Sequence, residues 1–160
     1  MFQAYFESIK YVGHLLPISF LRIFLGYFYL DLAFKDWKFF NLGSGGLADL
    51  FVEALNKTHL PPWYRLFLSE QVIMHWQVFA FILIGLQFAV GLSYVIGYVV
   101  RPISIMAIFV CLNYLLLSHS DQEIFYKLLI ACHVLLAWVG AGRCLGLDYY
   151  FFKRRRGVWW

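Results

Sequence analysis

HWQVFAFILIGLQFAVGLSYVIGYV, residues 75–99, decides what kind of protein this is. The stretch carries no Asp, Glu, Lys or Arg. As a helix rising about 1.5 Å per residue, it exceeds the roughly 30 Å of hydrocarbon in a bilayer. Backbone N–H and C=O groups in lipid must satisfy one another, and a helix does this within one segment. Arg101-Pro102 then makes a tight reversal, because proline disfavours helix at the residue before it and suits the first turn of the next one.

Working outward, three further apolar runs have the same character, at about 15–34, 103–117 and 124–141, and with about 75–99 they make four spans. Pro17 falls in the first turn of the first span, where it forfeits no intrahelical bond. The expected fold is all-α: an integral membrane four-helix bundle forming one domain. Between the first two spans, Leu47, Leu50, Phe51, Ala54 and Leu55 recur at helical spacing opposite Asp49, Glu53, Asn56 and Lys57. That pattern predicts an amphipathic interfacial helix in the first external loop, ended by Pro61-Pro62. The glycines around Ser44 lack a following Lys-Ser/Thr and a preceding strand, so they read as a turn and not a phosphate loop.

Composition agrees: 62% hydrophobic, 21% aromatic and 14% charged residues, with mean hydropathy +0.71, describe a chain solvated by a lipid bilayer. The net charge of +4 is not a nucleic-acid footprint, because Lys153, Arg154, Arg155 and Arg156 directly follow the last apolar run. Basic residues there hold a helix end in the cytoplasm, and an even number of spans places both termini on that side. The first run contains Arg22 and lacks a small-residue cleavage site, so it reads as a retained helix. Cys111, Cys132 and Cys144 are odd in number and show no CxxC spacing, which predicts neither a disulfide framework nor structural zinc.

Chemistry is expected where polar side chains interrupt the spans: Arg22, Gln87, Asn113 and His133. Hydrocarbon solvates none of them, so each must meet a partner, a ligand or another chain. Ser19, Arg22, Gly26, Tyr29 and Ala33 share one face of the first span, and His133, Ala137, Gly140 and Ala141 share one face of the fourth. Both faces are read as inward. No Asp or Glu lies at comparable depth, so the simplest arrangement is one buried cluster completed by an anionic or carbonyl-bearing ligand such as a quinone head group. In the second span Gly85, Ala89, Ser93 and Gly97 form a small-residue ladder at a spacing of four, the expected helix-packing face. On that reading Ser93→Leu is more damaging than Gly91→Leu.

Haem is disfavoured, because His133 has no partner histidine at its depth among His14, His59, His75 and His119. A di-iron site is disfavoured too, since no ExxH pair occurs.

The segments RIFLGYFYLDLAFK (22–35), VGLSYVIGYVVRP (90–102) and GAGRCLGLDYYFFKRRR (140–156) resemble the DoxX/DoxD family of small four-helix membrane proteins. The matched positions are Arg22, Gly26, Lys35, Gly91, Gly97, Arg101, Gly142, Arg143, Gly146 and Asp148. The resemblance implies a bacterial inner-membrane protein, and for DoxD-like members the membrane subunit of a thiosulfate:quinone oxidoreductase. Where many members carry a glutamate in the second span, this chain has Gln87, and an amide cannot exchange protons as a carboxylate does.

Two functions follow. One is a subunit of a redox or electron-transfer complex, contacting quinone through Arg22 and His133 beside a partner subunit. The other is a non-catalytic assembly subunit that packs against a larger membrane complex.

Overall fold

The computed structural model describes residues 13–41, 49, 52, 53, 55, 56, 60–118 and 120–154. Its elements are helical: α1 (Leu16–Asn41), entered through a 3-10 turn at Gly13–Leu15; α2 (Pro62–Phe67), continued by a π turn at Leu68–Val72; α3 (Trp76–Ile96); α4 (Val100–Leu117); α5 (Ser120–Val139); a 3-10 turn at Ala141–Arg143; and α6 (Asp148–Arg154). Four helices are long and apolar enough to cross a membrane: Gly13–Lys38, Trp76–Ile96, Val100–Leu117 and Asp121–Val139. The chain is an all-α, multi-pass membrane bundle. Most of the residues expected to form the interfacial helix, Leu47, Leu50, Phe51 and Ala54, lie outside the described residues. Pro61-Pro62 marks a beginning more than an end, because Pro62 opens α2 where its missing N–H costs nothing.

Helix α1 packs along α3, and α4 packs along both α5 and α3. The α1–α3 crossing is close because a glycine from each helix sits in it. A Cβ on Gly26 would stand 2.9 Å from the Val95 nitrogen, and one on Gly91 2.7 Å from Leu30 Cγ. Around that crossing Leu25, Tyr29, Val90, Tyr94, Ala107, Cys111 and Leu136 form the main core. Leu60, Tyr64, Leu68, Val72 and Leu117 form a second core that fixes α2 and the π turn against the far end of α4.

The ladder expected to pack is not the packing face within this bundle. Gly85 has nothing within 4 Å of its Cβ position and Ala89 is exposed, while Ser93 is half-buried, its hydroxyl donating to the Tyr98 carbonyl. Only Gly97 is buried. The buried face of α3 runs through Ala80, Ile84, Gln87, Gly91 and Tyr94. A strict spacing of four drifts about 40° around a helix at each step, so the ladder winds from lipid at Gly85 to the interior at Gly97. Alternating steps of four and three hold one face. The same large exposed side chains that would be a liability in water, among them Phe20, Phe24, Tyr27, Phe109 and Trp138, here face lipid.

Candidate functional site

The four interrupting side chains do not meet. Each has its own set of partners.

Arg22 lies at the end where α1 begins, α3 ends, α4 begins and α5 ends. It is fully buried, and its guanidinium donates to the carbonyls of Ala141 (2.9 Å), Cys144 (3.3 Å) and Leu145 (2.8 Å). Ser19 Oγ, one turn earlier, has the carbonyls of Leu15 (3.1 Å), Ala141 (3.4 Å) and Cys144 (3.0 Å) as alternative acceptors for its one hydrogen. The loop after α5 is therefore folded back under the bundle and tied to α1 by a fork of donors that matches several carbonyls at once. Its backbone also docks on the α3–α4 turn, with Leu147 N–H donating to Ile96 and Asp148 N–H to Gly97.

Asp148 completes this end. The Val99 and Val100 N–H groups donate to its two carboxylate oxygens at 2.7 and 3.1 Å, capping α4 from a distant part of the chain. That cap explains why α4 starts at Val100 and not near 103, and it holds Val99 at φ 54, a left-handed conformation that β-branched residues rarely adopt. Burial pushes the Asp148 carboxyl up, opposed by the Val100 and Val99 N–H groups and then by the charges of Arg22 and Arg143. No sequence-local feature announced a carboxylate near Arg22, since Asp148 lies beyond the last span. Asp148→Ala is expected to cost about 1–2 kcal/mol, as a lost N-cap does, read as a lower melting temperature in mild detergent; Asp148→Asn retains part of the cap.

His133 occupies the centre of the main core, fully buried. Tyr29 of α1 lies 2.8 Å from its Nε2 and Tyr94 of α3 lies 2.8 Å from its Nδ1. Tyr94 donates to Ser104 (2.9 Å), which donates to the Val100 carbonyl (2.7 Å), while Tyr29 also touches Cys111 Sγ at 3.0 Å. These bonds fix the direction of the whole set. Because the Tyr94 hydrogen is spent on Ser104, its oxygen accepts from Nδ1–H, which leaves Nε2 to accept from the Tyr29 hydroxyl and Tyr29 to accept from the Cys111 thiol. One donor chain thus runs from Cys111 through Tyr29, His133, Tyr94 and Ser104 to the Val100 carbonyl, with a member from each of α1, α3, α4 and α5. The inward placement of His133 expected from its face holds; its partners are phenols, not Arg22.

Gln87 is fully buried and donates to Asp36 of α1 (3.0 Å) and to the Tyr114 oxygen of α4 (2.8 Å). A carboxylate of the neighbouring helix thus accepts from the Gln87 amide. Asn113 is half-buried; it accepts from Tyr64 at 3.3 Å and donates to Phe109 O one turn back. It lines an apolar groove of about 210 Å³ between the π turn, α3 and α4, whose walls include Phe67, Phe79 and Leu86. Burial pushes the Tyr64 hydroxyl up to about 12, so it stays a neutral donor to Asn113.

Seven of the positions carrying the family resemblance gather at the Arg22 end. Gly97, in left-handed geometry at φ 71, lies against the Arg22 guanidinium and Gly146; Gly142 lies against Asp148; and Arg101 lies over Gly140. Gly26 and Gly91 form the α1–α3 crossing. Lys35 is exposed and pairs with Asp31 at 2.6 Å. Sequence reasoning missed Asp36, Tyr94, Ser104, Cys111 and Tyr114 as site members, because phenols, hydroxyls and thiols are common in apolar spans and only their convergence distinguishes them. No known protein family, curated protein or solved structure matches this chain.

Proposed function

We propose that this chain is a membrane subunit of a redox or electron-transfer complex of DoxX/DoxD type, in which Tyr29 and His133 form a proton-coupled electron relay serving a quinone-linked partner. The observation that carries the reading is the 2.8 Å contact between the Tyr29 hydroxyl and His133 Nε2. A phenol gives up one electron readily when its proton has a base to move to. Here a one-electron acceptor on the partner would take the electron, the proton would pass to Nε2, and the imidazolium would be held through Nδ1–H by Tyr94. Return of an electron from a donor restores the neutral pair. The apolar core around it excludes the water that would otherwise quench a phenoxyl radical.

The basic tail supports cytoplasmic termini and the family likeness a bacterial inner membrane. Cysteine labelling from either face is expected to find position 155 cytoplasmic and position 50 external; both on one side removes this topology.

An assembly subunit is the second reading. It is favoured by Arg22, whose Nη1 and Nη2 donate to loop carbonyls and so tie the chain to itself. Purification in gentle detergent, with turnover measured per assembled complex, separates the two. Tyr29→Phe should lower turnover at least about tenfold while assembly holds, since it removes a proton-transfer step. Unchanged turnover per complex would leave the assembly role.

A further inference from the structure

Asp36 ends up inside the first span with neutral company. Its Oδ2 accepts from Gln87 Nε2 at 3.0 Å and from the Tyr114 hydroxyl at 3.4 Å. Among the described residues no cation pairs with it. Asp36 is half-buried near the span's end at Lys38, and a carboxylate among neutral partners there is costly to keep ionised unless a counter-charge stands beside it.

Gln87 carries the second observation. It is fully buried, both its N–H groups are used, and its carbonyl oxygen meets no donor among the described residues. A buried amide oxygen without a donor costs free energy and calls for an explanation. Half a turn about the last side-chain bond exchanges the amide oxygen and nitrogen with no change of shape. In the first orientation the N–H groups serve an ionised Asp36. In the second the carbonyl oxygen faces Asp36 and accepts from a protonated carboxyl.

We propose that Asp36, Gln87 and Tyr114 form a proton-binding site, in which Asp36 takes up and releases one proton and the Gln87 amide rotates to match. The bond that forms is Asp36 O–H and the bond that breaks belongs to the proton donor, hydronium or water from the adjacent aqueous side. The titratable groups facing the site are few. From α4 there is Tyr114 itself; from α5, Tyr126, whose ring stacks on Tyr114 at 5.7 Å and 4°. From α3 only Gln87 reaches it, and it does not titrate. On α1, Lys35 and Lys38 are exposed, and Lys35 is held by Asp31. At roughly 1.5 Å per residue, Asp36 lies about 21 Å along α1 from Arg22, so this site and the Asp148 end are well apart. The proposal does not rest on the redox reading.

Infrared spectroscopy of the full chain in liposomes, titrated between about pH 4 and pH 9, tests it. The expected result is a protonated-carboxyl C=O band that fades with rising pH, is lost in Asp36→Asn and persists in Asp148→Asn. Gln87→Glu places a second carboxyl within hydrogen-bond reach, so the pair shares a proton and the midpoint should move up by about 1 pH unit or more. This variant decides the matter even if Asp36→Asn fails to insert. A band unchanged in Asp36→Asn, a midpoint unchanged in Gln87→Glu, or no band at any pH would overturn the proposal. Loss of the band on adding sodium at fixed pH would also overturn it, in favour of a metal-cation site.

Discussion

Arg22→Leu is expected to prevent stable assembly, lowering stability by about 3 kcal/mol or more. The guanidinium donates to three carbonyls in the loop after α5, two of them buried. Removing it takes the donor from the Leu145 carbonyl and leaves one Ser19 hydroxyl between Ala141 and Cys144, and charge-assisted bonds in such sites are among the strongest a side chain makes. The loop carries Asp148, so its release also uncaps α4 at Val99 and Val100. Limited proteolysis should find new cleavage within 140–148, together with a lower melting temperature in mild detergent. Arg22→Lys should fall between wild type and Leu, because an ammonium cannot span three acceptors as a planar fork does. An Arg22→Leu protein that assembles normally but no longer turns over would instead mark Arg22 as a ligand contact.

Gly91→Leu is the second large effect. A Cβ at position 91 already falls 2.7 Å from Leu30 Cγ and 3.0 Å from the Leu30 nitrogen, so a whole isobutyl group cannot enter without parting α1 from α3. The expected cost is about 3 kcal/mol, at the upper end of overpacking in a close crossing. Gly85→Leu should be tolerated within about 0.5 kcal/mol, because that position opens toward lipid. The order reverses the one a spacing of four suggests. Thermal unfolding of the two variants in one detergent checks it; equal tolerance would mean that α1 and α3 do not cross at the glycines.

The spans and two inward faces were legible because lipid imposes a simple rule on composition and because helical periodicity needs only local spacing. Ser19, Arg22, Gly26, Tyr29 and Ala33 are all buried, as their shared face implied. The small-residue ladder misled because fourfold spacing drifts on a helix of 3.6 residues per turn, so the residues that look most regular in the sequence do not share one side. Partnerships were harder still. Arg22 was expected to need a ligand because no Asp or Glu lay at comparable depth, whereas its neighbours are loop carbonyls and Asp148 from a segment that folds back beyond the last span. His133 and Gln87 were expected to meet in one cluster from their similar depth. Depth fixes height but not azimuth, and the two point into different seams of the bundle. Asp36 fell beyond the expected end of the first span at about 34, whereas helix α1 continues past it to Asn41.

Light- or oxidant-generated radicals in the purified protein test the relay most directly, through electron paramagnetic resonance at low temperature. A tyrosyl signal in the wild type, absent in Tyr29→Phe and markedly reduced in His133→Leu, with all three proteins equally folded, is the expected result. A signal of the same shape and yield in Tyr29→Phe, or no tyrosyl signal in the wild type, would contradict it.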